Sequence, residues 1–247
     1  MPVSSIRSSA RDFRTKYIDT GAAVTDSESV SDMEAGEGFD RSTLDLLGLQ
    51  NRLLEALEAT GKPLVVVYIE GRPLDKGWAR EHADALLTLW YPGQEGGHAL
   101  ADVLSGDFNP AGRLPISVPR SVGQLPVYYN RHFPLGHDYV ECPSSPLYEF
   151  GYGLSYTTFE YSDLTIEKRG DSCAEVSFTI TNTGDRAGDE VPQLYVTDEV
   201  ASTVRPVKQL RAFTRVSIPA GESRRVSFPL DEKAFALWNN RMQRVVE

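Results

Sequence analysis

Two acidic residues stand where a general acid or base could work. Glu37 lies in Met33-Glu34-Ala35-Gly36-Glu37-Gly38-Phe39-Asp40-Arg41, between glycines that leave its carboxyl unobstructed and permit a loop with positive φ. A loop carboxylate projecting from an α/β scaffold can carry a proton to or from a substrate. The same position also suits a surface acid that complements the dipole of the helix expected after it. Glu95, ahead of Gly96-Gly97 at another helix start, admits the same two readings. Carboxylates alone do not identify an enzyme.

Other chemistries find little support. There is no Gly-x-x-x-x-Gly-Lys-Ser/Thr phosphate loop, no Gly-x-Gly-x-x-Gly after a strand, and no Gly-x-Ser-x-Gly elbow; Gly151-Tyr152-Gly153-Leu154-Ser155 only resembles the last superficially. His82, His98, His132 and His137 lack metal-ligand spacing, and His132 and His137 read as surface or loop histidines. Cys142 and Cys173 cannot make a disulfide framework and are expected as free thiols, with a single bridge left open. Arg205, Lys208, Arg211, Arg215, Arg224 and Arg225 are expected on solvated strand faces and edges.

The 247 residues carry 25 Lys+Arg against 35 Asp+Glu, a formal net charge of −10. That balance opposes both a nucleic-acid reader, which needs a basic stripe, and docking on an anionic membrane. With 40% hydrophobic and 24% charged residues the composition is that of a globular protein, and no apolar run approaches the length of a membrane span. Met1 to Arg7 lacks the apolar core of a signal peptide.

These residues need elements to position them. The first forty residues carry weak structural signals, with Ala22-Ala23-Val24 as a short strand at most. Leu46, Leu49, Leu53 and Leu57 recur at helical spacing, with Leu47 and Leu54 widening the face, and Gly61 stands where the helix should end. Leu64-Val65-Val66-Val67-Tyr68-Ile69 has the texture of a parallel strand covered on both faces. A helix over Trp78–Ala83, a strand over Ala85–Trp90 and a helix with the face Ala99, Leu100, Val103 and Leu104 follow. From Arg113 to about Tyr156 the chain is rich in Pro, Gly and Tyr, as in an extended connector. Beyond Phe159, Val176, Phe178 and Ile180 alternate with polar residues, and further strands are expected over Val191–Val196, Gln209–Val216 and Arg224–Phe228, as in a β-sandwich. The fold class is α/β with a parallel sheet, followed by all-β.

Gly36-Glu37-Gly38-Phe39-Asp40-Arg41, followed by Leu44-Asp45-Leu46 and Gln50, resembles the acid-loop segment of family 3 glycoside hydrolases, the β-glucosidase and β-xylosidase family. Further blocks resemble it in order: Thr60-Gly61-Lys62-Pro63 with Gly71-Arg72-Pro73-Leu74; Trp90-Tyr91-Pro92-Gly93-Gln94-Glu95-Gly96-Gly97; Gly106-Asp107-Phe108-Asn109-Pro110-Ala111-Gly112-Arg113-Leu114-Pro115; and Phe150-Gly151-Tyr152-Gly153-Leu154-Ser155-Tyr156. The resemblance implies the C-terminal part of such an enzyme. It assigns residues 1–30 to a poorly structured or truncated lead-in, 31–120 to part of the family's α/β sandwich domain, and 121–158 to the connector. Residues 159–247 become an immunoglobulin-like, fibronectin type III-like β-sandwich whose last strand is expected to be missing.

The resemblance further implies hydrolysis of terminal β-linked sugars with retention, by two carboxyl groups. Glu37 matches the family's general acid/base, with Asp40 and Arg41 as supporting neighbours; Glu34 and Asp40 would push its pKa up and Arg41 would push it down. The nucleophile, an Asp, would lie on a barrel domain absent here, so the chain alone is expected to be inactive. No cofactor and no metal are implied. Expected partners are a β-linked oligosaccharide or glycoside and the missing barrel, with no nucleic acid and no membrane; a homodimer stays open, as does location, since members occur in the periplasm, outside the cell and in the cytoplasm. A non-catalytic carbohydrate-binding or structural module is the alternative.

Overall fold

The computed structural model describes residues 41–133 and 136–247, together with the backbone of three short strands nearer the start. Those strands are β1 (Val3–Arg7), β2 (Lys16–Tyr17) and β3 (Ala23–Val24). Helix α1 (Gln50–Glu58), β4 (Val65–Ile69), α2 (Gly77–His82), β5 (Ala85–Thr88) and α3 (Gly96–Ser105) follow. The chain divides into two compact units: Met1–Leu100 with Val118–Pro126 and Glu141–Tyr148, and Ala101–Ser117 with Val127–Val140 and Glu149–Glu247.

The first unit is built on a parallel sheet of order β1-β4-β5, the α/β arrangement expected from alternating elements. Central β4 is buried from Val65 to Tyr68, which explains its uninterrupted apolar run. Strand β1 pairs in parallel with β4 from Val3↔Val65 to Arg7↔Ile69, although its sequence carries no strand signal. Ladder hydrogen bonds come from the main chain, so an apolar central strand can pair with an unpatterned neighbour. Leu46, Leu54, Leu64, Val66, Tyr68, Leu74 and Ala79 form the core of the unit.

Helix α1 ends at Glu58, and the turn after it closes at Gly61, whose φ of +67° suits a residue without Cβ and whose amide donates to Glu58 O. Its buried face differs from the sequence expectation. Leu49 and Leu53 are 69% and 52% exposed, whereas Leu54 is 1% exposed and Leu57 packs on the core. The helix starts only at Gln50, so Leu46 and Leu49 lie outside it and the stripe it turns inward is Leu54 and Leu57. After α3, the 3₁₀ turn Val122–Gln124 and the bridge Val118↔Tyr148 order part of the connector within the first unit. There Gln124, 6% exposed, donates from Nε2 to Pro143 O and Ser145 O and accepts from Arg120 N at Oε1.

The second unit is a β-sandwich of short antiparallel pairings. Its strands are β6 (Phe159–Lys168), β7 (Ala174–Asn182), β8 (Gly188–Glu190), β9 (Gln193–Val196), β10 (Gln209–Phe213), β11 (Val216–Ile218) and β12 (Ser223–Leu230). Helix α4 (Glu232–Phe235) and the pair β13 (Leu237–Trp238) and β14 (Arg244–Val245) come last. The central sheet has the order β12-β7-β6, and β10 pairs with β9 while β11 pairs with β8. Val176, Phe178 and Ile180 face Phe228, Val226 and Arg224 across the ladder, and all but Arg224 are buried. On the solvent face Ser177 and Ser227 share a 2.7 Å hydroxyl contact. The run expected as one strand over Gln209–Val216 is two: the chain breaks after Phe213 and resumes on a different partner. Cys142 and Cys173 are both free thiols.

Candidate active site

Strand β4 runs out of the sheet into Glu70, and the C-terminal ends of parallel strands are where α/β sheets place their functional groups. Glu70 is fully buried. Its Oε1 accepts from Thr88 Oγ1 at 3.0 Å, the last residue of β5. Its Oε2 accepts from Leu74 N at 3.0 Å and Lys76 Nζ at 2.7 Å. Lys76 is 2% exposed, bonds Leu74 O at 3.3 Å and lies 4.2 Å from the centroid of the Tyr68 ring. A buried ion pair contributes little net stability compared with apolar side chains of equal volume, but losing one partner costs about 3–5 kcal/mol. Glu70 and Lys76 therefore hold the shape of the turn Glu70–Lys76.

That turn presents Asp75 to the segment that follows the acid loop. Asp75 N donates to Leu44 O at 2.8 Å, its carbonyl accepts from Tyr68 Oη at 3.1 Å, and its Oδ1 accepts from Gly77 N at 2.9 Å at the start of α2. Arg41 folds over the same segment, its Nη2 donating to Thr43 Oγ1 at 3.3 Å and to Asp45 O at 3.2 Å. Leu46, 7% exposed, carries the segment into the core.

The sequence-expected site residues meet this geometry unevenly. Arg41 is placed beside the Leu44–Asp75 contact, while Glu37 and Asp40, with Glu34, lie outside the described residues. Glu95 stands immediately before α3: its carbonyl accepts from Ala99 N at 3.0 Å and its Oε2 contacts His98 Nδ1 at 2.7 Å, both side chains mostly exposed. This is the arrangement of an acid at a helix start rather than of a group held in a cleft. His82 stacks on Trp78 with ring centroids 4.5 Å apart. Among the described residues no group of three or more His, Cys, Asp or Glu is placed to hold a metal ion. Sequence reasoning missed Glu70, Asp75, Lys76 and Thr88. The available signal was a carboxylate following an unbroken apolar strand, with a lysine just beyond a Gly-Arg-Pro turn.

Residues 14–156, more than half of the chain, match the family model for the glycosyl hydrolase family 3 C-terminal domain. The chain belongs to glycosyl hydrolase family 3. Residues 190–247 of this family 3 chain match the fibronectin type III-like domain. It is 47% identical over 224 residues to a periplasmic β-glucosidase of Salmonella typhimurium, covering 85% of this chain and 29% of the relative. It is 43% identical over 219 residues to a β-xylosidase of Formosa agariphila, covering 86% of this chain and 30% of the relative. The crystal structure of a β-glucosidase from Listeria innocua in complex with glucose matches with a TM-score of 0.80 and 40% identity, over 86% of this chain and 31% of that one. The family 3 chain thus spans less than a third of the length of these relatives.

Proposed function

We propose that this chain supplies the acid/base half of a retaining β-glycosidase acting on terminal β-linked sugars such as β-glucosides or β-xylosides. Glu37 is its general acid/base, with Asp40 and Arg41 beside it, and the nucleophilic Asp is contributed by a barrel domain outside these residues. The match of the family model through residues 14–156 carries the reading, because Glu37 falls inside it within Gly36-Glu37-Gly38-Phe39-Asp40-Arg41. The docking of Leu44 on Asp75 supports it, since that contact fixes the chain just beyond the loop at the C-terminal end of β4.

In this chemistry the two carboxyl groups stand about 5–5.5 Å apart. Glu37 in its acid form protonates the departing glycosidic oxygen while the Asp attacks the anomeric carbon. As a carboxylate it then takes a proton from the water that cleaves the glycosyl ester.

The test joins the barrel-bearing portion of the Salmonella relative ahead of this chain and compares Glu37→Gln with the parent. Loss of kcat/KM of about 10²-fold or more is expected on phenyl β-glucoside, whose poor leaving group needs the proton. Loss should be far smaller on 2,4-dinitrophenyl β-glucoside, whose leaving group departs unprotonated. Equal activity of the Glu37→Gln chimera and its parent on both substrates would leave only a binding or structural module.

A further inference from the structure

We propose that Glu70 is a positioning residue for the acid loop, acting through Asp75 and Leu44; this deepens the reading of Glu37 and rests on it. One carboxylate oxygen of Glu70 holds the residue on each side of Asp75. Oε2 accepts from the amide of Leu74 and from the ammonium of Lys76. With both neighbours held, and with Tyr68 Oη on its own carbonyl, Asp75 has its peptide planes set. Its N–H is thereby aimed at Leu44 O, 2.8 Å away. Leu44 follows Glu37 by seven residues and Arg41 by three. Arg41 closes the intervening turn onto Thr43 and Asp45, so the register set at Asp75 passes back along the chain as far as Arg41, the last residue of the motif that carries Glu37.

The other oxygen of Glu70 ties the turn to the sheet. Oε1 accepts from Thr88, whose backbone pairs with Tyr68 at the end of β5. The turn, the two strand ends and the anchor of the acid loop therefore share one carboxylate. A leucine at residue 70 would fill the volume but could accept from none of Leu74, Lys76 and Thr88. Side chains 3% and 0% exposed make Lys76 and Glu70 inaccessible as surface or substrate-contacting groups, which leaves an indirect role.

The chimera described above tests this by dependence on the leaving group, which folding stability alone does not produce. Glu70→Gln is expected to lower kcat/KM on phenyl β-glucoside by about 10-fold or more, as a misplaced acid would. On 2,4-dinitrophenyl β-glucoside the change should stay within about 3-fold, because misplacement of a proton donor costs little where no proton is needed. Thr88→Val removes only the Oε1 hydrogen bond and should shift the ratio in the same direction by less; it carries the test where Glu70→Gln does not fold. Losses equal on the two substrates, or unchanged kcat/KM on both, overturn the proposal. Glu37→Gln run alongside separates the two readings. If it shows the leaving-group effect and Glu70→Gln and Thr88→Val do not, only the positioning role falls; if Glu37→Gln lacks the effect, the acid/base reading fails and the positioning role falls with it.

Discussion

Arg113 Nη2 donates to Glu190 Oε1 at 2.6 Å, with the two side chains 14% and 9% exposed. The pair ties the segment after α3 to the end of β8 within the second unit, and Val191 N adds a 2.8 Å bond to the same oxygen. Glu190→Gln leaves the guanidinium partly buried without its charge partner and is expected to cost about 2 kcal/mol. Urea unfolding followed by fluorescence reads the effect, and an unmoved midpoint contradicts it.

Tyr161 is 50% exposed, yet the partial desolvation of its hydroxyl, followed by the nearby Glu190 carboxylate, pushes the phenol well above its ordinary value of 10.0. A raised pKa in the folded state means that the unfolded chain releases this proton first. The stability contributed by Tyr161 is therefore complete below pH 10 and declines as pH rises beyond that value. Tyr161→Phe should flatten the fall of stability at alkaline pH, and Glu190→Gln should bring the phenol back toward 10 in an ultraviolet titration. A phenol in Glu190→Gln that titrates as in the parent argues against the carboxylate's part.

Two isoleucines of the same sheet should behave oppositely. Ile180 on β7 is 0% exposed, and Ile180→Ala is expected to cost about 2–5 kcal/mol through lost burial and the cavity left. Ile166 on β6 is 68% exposed, and Ile166→Ala should change stability by less than about 0.5 kcal/mol. Comparable losses for both in thermal melts would show Ile166 to be covered in solution.

The chain by itself is expected to leave 4-nitrophenyl β-glucoside intact, because retention needs a nucleophile and an acid/base facing one bond. Turnover by the purified chain that survives Glu37→Gln would place both groups elsewhere.

Strands that bury one or both faces were readable because burial imposes a pattern: the unbroken run of β4 and the alternation Val176, Phe178, Ile180 of β7 both follow from it. Strand β6 carries no such pattern because it is exposed from Glu160 to Lys168 and is specified by pairing with β7, interrupted by a register shift between Ser162 and Thr165 where Asp163 adopts a φ of +53°. The division between β10 and β11 was hidden because Leu210, Ala212 and Val216 continue an apolar pattern while the chain changes partner. Glu37, Asp40 and Arg41 are proposed from a motif, whereas no motif points to Glu70 and Lys76. Charged residues read as surface until the fold brings their partners together, and here the partners lie up to 18 positions apart.

The contact between Leu44 and Asp75 joins a carbonyl to an amide, so neither side chain takes part in it. Alanine scanning would leave both atoms in place and score the two positions by their side chains alone, reporting the half-buried Leu44 side chain and the Asp75 carboxylate that accepts from Gly77 N. Replacing the amide at residue 75 with an ester deletes the donor and spares every side chain. Natural sequence drift is likewise blind to this tether, except where it introduces proline at that residue.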